Sequence, residues 1–320
     1  MRKKTRVIKV GDVLIGGNNP IPIQSMTNTK TINIQNTVDQ IKELIITGCD
    51  IIRVAVPDIE SAKAIKKIRE SISIPLIADI HFDYKLAIEA IKAGADCLRL
   101  NPGNIGSKQN VLKVVDVTRE RKIPIRIGVN SGSLSKEKIE KYGVTAQGIV
   151  ESALEHVAIL EKANYYEMKI SVKASSVPLT IESYRLISEK VNYPLHLGVT
   201  EAGTEFSGSI KSSIGIGTLL TEGIGDTIRV SLTANPIKEV LVAKEILKSL
   251  GFRKGLDIIS CPTCGRTEID VISMANEIKN QLKEYSEFDL TVAVMGCVVN
   301  GPGEAREADF GIAGGEKEGL

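Results

Sequence analysis

Three cysteines carry the sharpest chemical signal in this chain. CPTC places the thiols of Cys261 and Cys264 close together, and MGCVVNGPGEA brings Cys297 from the turn that follows an apolar run. A structural zinc site normally takes four protein ligands, and this part of the chain has no further Cys and no His. Three thiolates also suit an iron–sulfur cluster with one distinctive iron. Glu304, seven residues beyond Cys297, would give that iron a single hard oxygen donor among soft sulfurs. On spacing alone, zinc and iron–sulfur both stay open. Cys49 and Cys97 each precede an apolar run, in GCD and ADC, and read as small buried hydrophobes.

A second set of residues places charge where apolar residues belong. Arg53 lies in IIRVAV, Arg99 in CLRL, Arg126 in PIRIGV, Lys173 in SVKAS and Arg229 in TIRVSL. Asp79 and His81 end IADIHFD, and Asn101, Asn130 and Glu201 stand just past their runs. A buried unpaired charge is costly, so each needs a partner or a ligand. Cations at comparable positions in five runs predict a convergent site for an anion, and guanidinium forks with a lysine point charge suit diphosphate oxygens. The competing reading is a ring of internal ion pairs, for which only Asp79, Glu201 and Asp226 are well placed. The Gly- and Thr-rich stretch 212–231 reads either as a phosphate-binding loop next to the last strand or as a flexible βα loop. His81 is a candidate to hold a proton near the anion. His196 fits either the pocket or a hydrogen-bonded core, and His156 reads as structural on its helix.

These residues need a frame to hold them. Eight short apolar runs recur, at 22–26, 50–56, 74–80, 96–100, 123–129, 168–174, 193–199 and 226–232. Continuous apolar runs mark parallel strands covered by helices. Helical patterns fall between them at 33–48, 61–70, 84–96, 148–163 and 180–191; Asn33 is a candidate cap, and Gly48 and Gly94 are candidate stops. The predicted fold is α/β, a (β/α)8 TIM barrel over 1–250 whose charged residues gather at its C-terminal mouth. A doubly wound open sheet is the alternative, but neither GxGxxG nor GxxxxGK[ST] occurs. Residues 235–255 read as the helix closing the barrel and a short link. A small α+β module then occupies 251–320, with strands at 256–260 and 289–296, a helix near 268–284 and a last strand beginning near 309.

Composition narrows the class of partner. The chain has 320 residues, 41 Lys and Arg against 39 Asp and Glu, no Trp, and 4% aromatics. A near-neutral balance with so few aromatic platforms argues against nucleic acid. The basic N-terminus has no apolar core of a secretory signal, and no run is long enough to span a membrane. Five cysteines do not suggest a disulfide framework, so reduced thiols in a cytoplasmic protein are expected. A zinc-dependent aldolase or hydrolase, and an RNA-binding zinc knuckle, are the rival classes.

The motifs taken together resemble the 4-hydroxy-3-methylbut-2-en-1-yl diphosphate synthase family in its bacterial two-domain form. PIQSMTNT, RVAVPD, PLIADIHFD, LRLNPGNIG, IRIGVNSGSL, ISVKAS, LHLGVTEAG, IGIGTLLTEGIGDTIRVSLT, ISCPTCGRT and VMGCVVNGPGEA carry the resemblance over nearly the whole chain. It implies an iron–sulfur oxidoreductase of the methylerythritol phosphate route that opens and dehydroxylates 2-C-methyl-D-erythritol 2,4-cyclodiphosphate with two electrons. It implies one 4Fe-4S cluster per subunit on Cys261, Cys264, Cys297 and Glu304. Arg53, Asp79, Arg99, Arg126, Asn130, Lys173 and Arg229 would bind substrate, with Glu201, His81 and Glu304 in catalytic roles. Reduced flavodoxin or ferredoxin would supply the electrons. A homodimer would build each active site from the barrel of one subunit and the cluster domain of the other. The family usually continues past the point where this chain stops, so the cluster domain is expected to lack its last segment.

Overall fold

The computed structural model of the protein describes residues 2–286, 288–299 and 301–315. They form two compact units, one ending at Leu250 and the other beginning at Gly251.

The first unit opens with an antiparallel hairpin, β1 (Ile8–Val10) and β2 (Val13–Ile15). Six parallel strands follow in sequential order: β3 (Gln24–Met26), β4 (Ile51–Ala55), β5 (Leu76–Asp79), β6 (Cys97–Arg99), β7 (Ile125–Asn130) and β8 (Met168–Lys173). Two short parallel strands, β9 (His196–Leu197) and β10 (Thr227–Ile228), pair with each other. Single bridges tie Leu195 to Ile170 of β8 and Ile228 of β10 to Ile23 beside β3. All eight predicted parallel strands are present, as a six-stranded curled sheet and a separate pair.

Helices connect them: α1 (Ile34–Thr47), α2 (Ile59–Glu70), α3 (Tyr84–Lys92), α4 (Lys108–Arg121), α5 (Lys136–Tyr142), α6 (Ala146–Lys162), α7 (Val177–Lys190), α8 (Glu205–Thr221) and α9 (Pro236–Ser249). Their starts are set by side-chain caps: Asp58, Ser107, Thr145 and Ser176 each accept a backbone N–H of the first turn. Asn33 precedes α1 as expected but makes no side-chain cap. Gly48 ends α1 at φ +106°, a left-handed conformation that favours glycine.

Side chains alternate along each strand. One face, with Ile52, Val54, Leu76, Ala78, Leu98, Ile127 and Val172, packs beneath the helices in one large core. Each such fully buried aliphatic side chain contributes about 1.5–3 kcal/mol relative to exposure. The other face is divided by depth. Ile51, Ile77 and Cys97 pack against Ile8, Val10 and Ile15 of the hairpin, which seals the end where the strands begin. The charged residues lie farther along the same strands.

The second unit is a parallel sheet of β11 (Asp257–Ser260), β12 (Thr291–Met295) and β13 (Phe310–Ala313), with β12 central. Helix α10 (Val271–Gln281) connects β11 to β12, and the short α11 (Gly301–Ala305) packs on β12 and β13. Residues 316–320, the last of the chain, lie outside the described residues.

Candidate active site

Arg53, Asp79, Arg99, Arg126 and Lys173 are all buried, at 4–8% exposure, and Arg229 is half-buried. The strand register shows how they meet. Asp79 stands beside Arg99, Arg99 beside Arg126, and Asn130 beside Lys173. Alternation turns these side chains inward from β5 through β8. Gly128, at an inward position of β7, makes room for the neighbouring guanidinium: a Cβ there would lie 2.9 Å from Arg99 Nε. Gly198 likewise leaves space that a Cβ would take from Lys173 Nζ.

Asp79 is the hub of the ion pairs, 3.7 Å from Arg53 Nε and 3.4 Å from Arg99 Nη1. Burial works against its charge, but Arg53, Arg99 and Arg126 together hold its carboxyl below the usual range. Arg229 approaches Glu239 of α9 at 3.6 Å, and Glu239 also accepts the Leu232 N–H. Arg126 has no such partner: its Nε and Nη1 are buried without a hydrogen bond. Burial and then the like charge of Arg99 push it down to about 10, still charged at neutral pH. Lys173 is pushed well below the usual amine range, by burial and then by Arg126 and Arg229. The predicted ring of ion pairs therefore exists only in part, and the interior holds more positive than negative charge.

The polar residues around this group divide between structural roles and exposure. His81 is exposed, and its Nδ1 lies 3.2 Å from Arg99 Nη1. Its Nε2 lies 3.5 Å from the same Arg99 nitrogen and 3.7 Å from Asp79 Oδ1, so the ring sits between the guanidinium and the carboxylate. Asn101 donates to the Gly128 carbonyl and accepts its N–H, both at 2.9 Å, clamping β6 to β7. Asn130 caps the short turn after β7, in reciprocal contact with Ser133. Glu201 is exposed in the β9–α8 connection at φ +51°. His196 is fully buried, paired through Nδ1 with Thr227, and held well below the usual histidine range by burial. His156 on α6 accepts the Gly103 N–H at 3.0 Å, and burial pushes it down to about 4. Cys49 and Cys97 are buried thiols, Cys49 pushed up to about 12 by burial.

The expected phosphate loop at 212–231 is corrected. Residues Glu205–Thr221 form α8, and two of its glycines serve packing: a Cβ would lie 2.6 Å from Leu232 at Gly208 and 2.8 Å from Val199 at Gly215. Only the short turn 222–226 is left, and it leads into the start of β10, at the opposite end of that strand from Arg229. A cavity of about 810 Å³ also opens on the strand-start side, lined by Lys9, Gly11, Asp96, Arg121, Lys122 and Tyr166. None of the predicted site residues lines it.

In the second unit, Cys261 follows β11 and Cys297 follows β12. The parallel register, Ser260 opposite Val294, brings both strand ends to one edge. The Gly296 N–H donates to Cys261 Sγ at 3.0 Å, the kind of hydrogen bond that tunes cluster thiolates. Gly296 permits this approach, since a Cβ there would lie 2.7 Å from Val271 and 3.4 Å from that sulfur. Cys264 is exposed in the following turn, and a backbone hydrogen bond at Arg266 draws its thiol below the usual range. Glu304 is exposed on α11, and Asn300, in the motif before it, lies outside the described residues. Among the described residues, no three His, Cys, Asp or Glu side chains converge on a metal-binding point. Ligand sets of this type close as the metal binds. Three soft donors and one hard one, two of them on a shared edge with an N–H aimed at sulfur, fit an iron–sulfur cluster in kind.

Comparison with known proteins gives consistent results. The family model described as GcpE TIM-barrel domain matches residues 5–244, and that described as GcpE protein C-terminal domain matches residues 257–320. A 4-hydroxy-3-methylbut-2-en-1-yl diphosphate synthase (flavodoxin) from Caldanaerobacter subterraneus subsp. tengcongensis is 62% identical, over 100% of this chain and 90% of that protein. The Clostridium perfringens protein of the same name is 60% identical, over 100% and 92%. Among solved structures, a Yersinia pestis dihydropteroate synthase superposes with a TM-score of 0.55 at 12% identity, covering 77% of this chain and 98% of its own. That likeness concerns the fold alone.

Proposed function

The chain belongs to the GcpE family, and we infer that it converts 2-C-methyl-D-erythritol 2,4-cyclodiphosphate to (E)-4-hydroxy-3-methylbut-2-enyl diphosphate. The structural observation that carries this reading is the excess of buried cations, with Nε and Nη1 of Arg126 buried without a hydrogen bond among the described residues. Such a site suits a ligand that brings its own negative charge. The eight parallel strands, with the bridges at Ile170 and Ile23, support a sheet closed as a (β/α)8 barrel. In that reading the first unit binds substrate and the second carries the cluster.

Arg53, Arg126, Lys173 and Arg229 neutralise the diphosphate oxygens, and Asp79 orients Arg53 and Arg99 through its two ion pairs. Asn130, at the end of β7, adds a polar contact once its cap is satisfied. Two electrons enter the reaction and the departing hydroxyl leaves as water, so a proton must be delivered. His81 and Glu201, both exposed past strand ends, are the groups assigned to hold it. Cys261, Cys264, Cys297 and Glu304 would hold a 4Fe-4S cluster, which supplies the electrons one at a time. Flavodoxin, named for the relatives, is the assigned donor, with ferredoxin as its substitute.

No helix among the described residues is long and apolar enough to cross a membrane, and we assign the enzyme to the cytoplasm. The working form is assigned as a homodimer with composite sites. Mixing a Cys297→Ala subunit with an Arg126→Ala subunit tests this: the mixed dimer regains turnover that neither parent shows, and a verified mixed dimer without turnover contradicts it. The reaction itself is tested by anaerobic incubation of iron-loaded protein with the cyclodiphosphate and reduced flavodoxin. The expected product is (E)-4-hydroxy-3-methylbut-2-enyl diphosphate; recovery of unchanged substrate would overturn the assignment.

A further inference from the structure

Lys169 lies on β8, four residues before Lys173 and on the same inward face. It is fully buried, and its Nζ has no hydrogen-bond partner. The strand register sets it beside Arg126. A buried ammonium without an acceptor is expensive, so its surroundings decide what the amine does.

Nothing around Lys169 balances a positive charge. From β6, Cys97 is driven up by burial and stays a neutral thiol. From β9, His196 is driven down by burial and stays a neutral imidazole. Arg53 from β4 and Arg126 from β7 are cations that oppose its charge, and Lys173 stands farther along its own strand. On the outer side, α7 contributes Tyr184, whose buried hydroxyl donates to the His196 carbonyl. The buried face of α6 is Ile149, Val150, Ala153 and Val157, while His156 is turned to Gly103. The interior carboxylates are engaged elsewhere, Asp79 by Arg53 and Arg99, Glu239 by Arg229 and the Leu232 N–H, and Asp226 by the Leu195 N–H and the Thr5 hydroxyl.

Building on the diphosphate reading above, we propose that Lys169 is the proton-uptake residue of substrate binding: a diphosphate held by Arg53, Arg126, Lys173 and Arg229 returns a proton from solvent to its amine. Burial already pushes Lys169 down to about 8, so the free protein loses this proton within the range of ordinary assays. The bound anion supplies the negative charge the interior lacks and raises the affinity of the amine for its proton. The sign of the linkage follows. Affinity is full below the free-state midpoint and falls as pH rises through it, by up to about tenfold per pH unit until the bound-state midpoint is passed. The role is one of positioning charge beneath the substrate.

Isothermal titration calorimetry of the oxidised holoenzyme, without electron donor, reads this directly. Each phosphate of the cyclodiphosphate carries one ester bond and one anhydride bond, and so has no proton to exchange between pH 7 and 9.5. Titrations in buffers of different ionisation enthalpy should show net proton uptake near pH 8.5, and a dissociation constant that rises with pH. Lys169→Met places a side chain of similar length in the same buried space and should fold; it should bind with clearly less proton uptake near pH 8.5 than the wild type and a flatter pH profile. Lys169→Arg, which keeps its charge, should bind with a flat profile close to the wild-type affinity at pH 7. Uptake that persists undiminished in Lys169→Met would overturn the proposal and point to Lys173. Absence of uptake in the wild type at pH 8.5 would also overturn it. Inorganic diphosphate, scored as the difference between wild type and Lys169→Met, separates the two readings. If it shows this difference while the cyclodiphosphate does not bind, the substrate assignment falls and Lys169 stands.

Discussion

Arg126 sits on a six-residue strand paired on both sides, in a fully buried layer. Cys264 sits in an exposed turn between β11 and α10. The cations of the first unit are fixed by the register of the strands that carry them, and glycines at positions 128 and 198 make room for their heads. Among the described residues, the thiols of the second unit have not been drawn to one point. On the proposed function, one set of groups is organised by the polypeptide before any ligand arrives, whereas the other would be gathered by the metal it holds. On the same reading, the preformed set holds unfavourable charge that an anion would relieve, so part of the binding energy for a diphosphate would be stored in the fold.

The widest separation between the two regions should come from Cys297→Ala. In the proposed cluster site its loss removes one of three thiolates, and both retained iron and turnover should vanish; normal iron content in that variant would break the comparison. Arg126→Ala should act differently. It should keep its iron but lose about 2–5 kcal/mol in kcat/KM, the range of desolvated charge contacts, as read by steady-state kinetics. Arg126→Met sharpens the point further. Removing a buried, unpaired cation should stabilise the ligand-free protein by about 1–4 kcal/mol, measurable as a higher denaturant midpoint, while impairing substrate binding. A smaller effect concerns the frame. His156 is neutral in the folded unit and is pushed from 6.5 to about 4 by burial. The unfolded chain therefore takes up its proton first on acidification. Stability should be full above pH 6.5 and fall as pH drops toward 4, with a loss of about 1.4 kcal/mol at pH 5.5 that His156→Asn removes.

Much of this arrangement was legible in the sequence, for a physical reason. A charged residue inside an apolar strand has few ways to be stable, so Arg53, Arg99, Arg126, Lys173 and Arg229 mark an interior site before any coordinates exist. The strand runs were equally plain because a parallel sheet is buried on both faces. Helix α8 was not, since its glycines resemble a loop until the close packing of Gly208 on Leu232 and of Gly215 on Val199 is seen. The hairpin β1–β2 was hidden for another reason: strands of three residues carry too little alternation to be read. Asn101 and Asn130 look like ligands in sequence, yet both also serve the backbone around β7, a role that only the geometry reveals.

The division between a preformed anion site and a metal-gathered one is tested most directly by the affinity of iron-free Cys297→Ala for the cyclodiphosphate, measured by calorimetry beside Arg126→Ala. The account predicts that Cys297→Ala binds close to the wild-type value while Arg126→Ala binds far more weakly. Loss of affinity in Cys297→Ala as large as that in Arg126→Ala would contradict it.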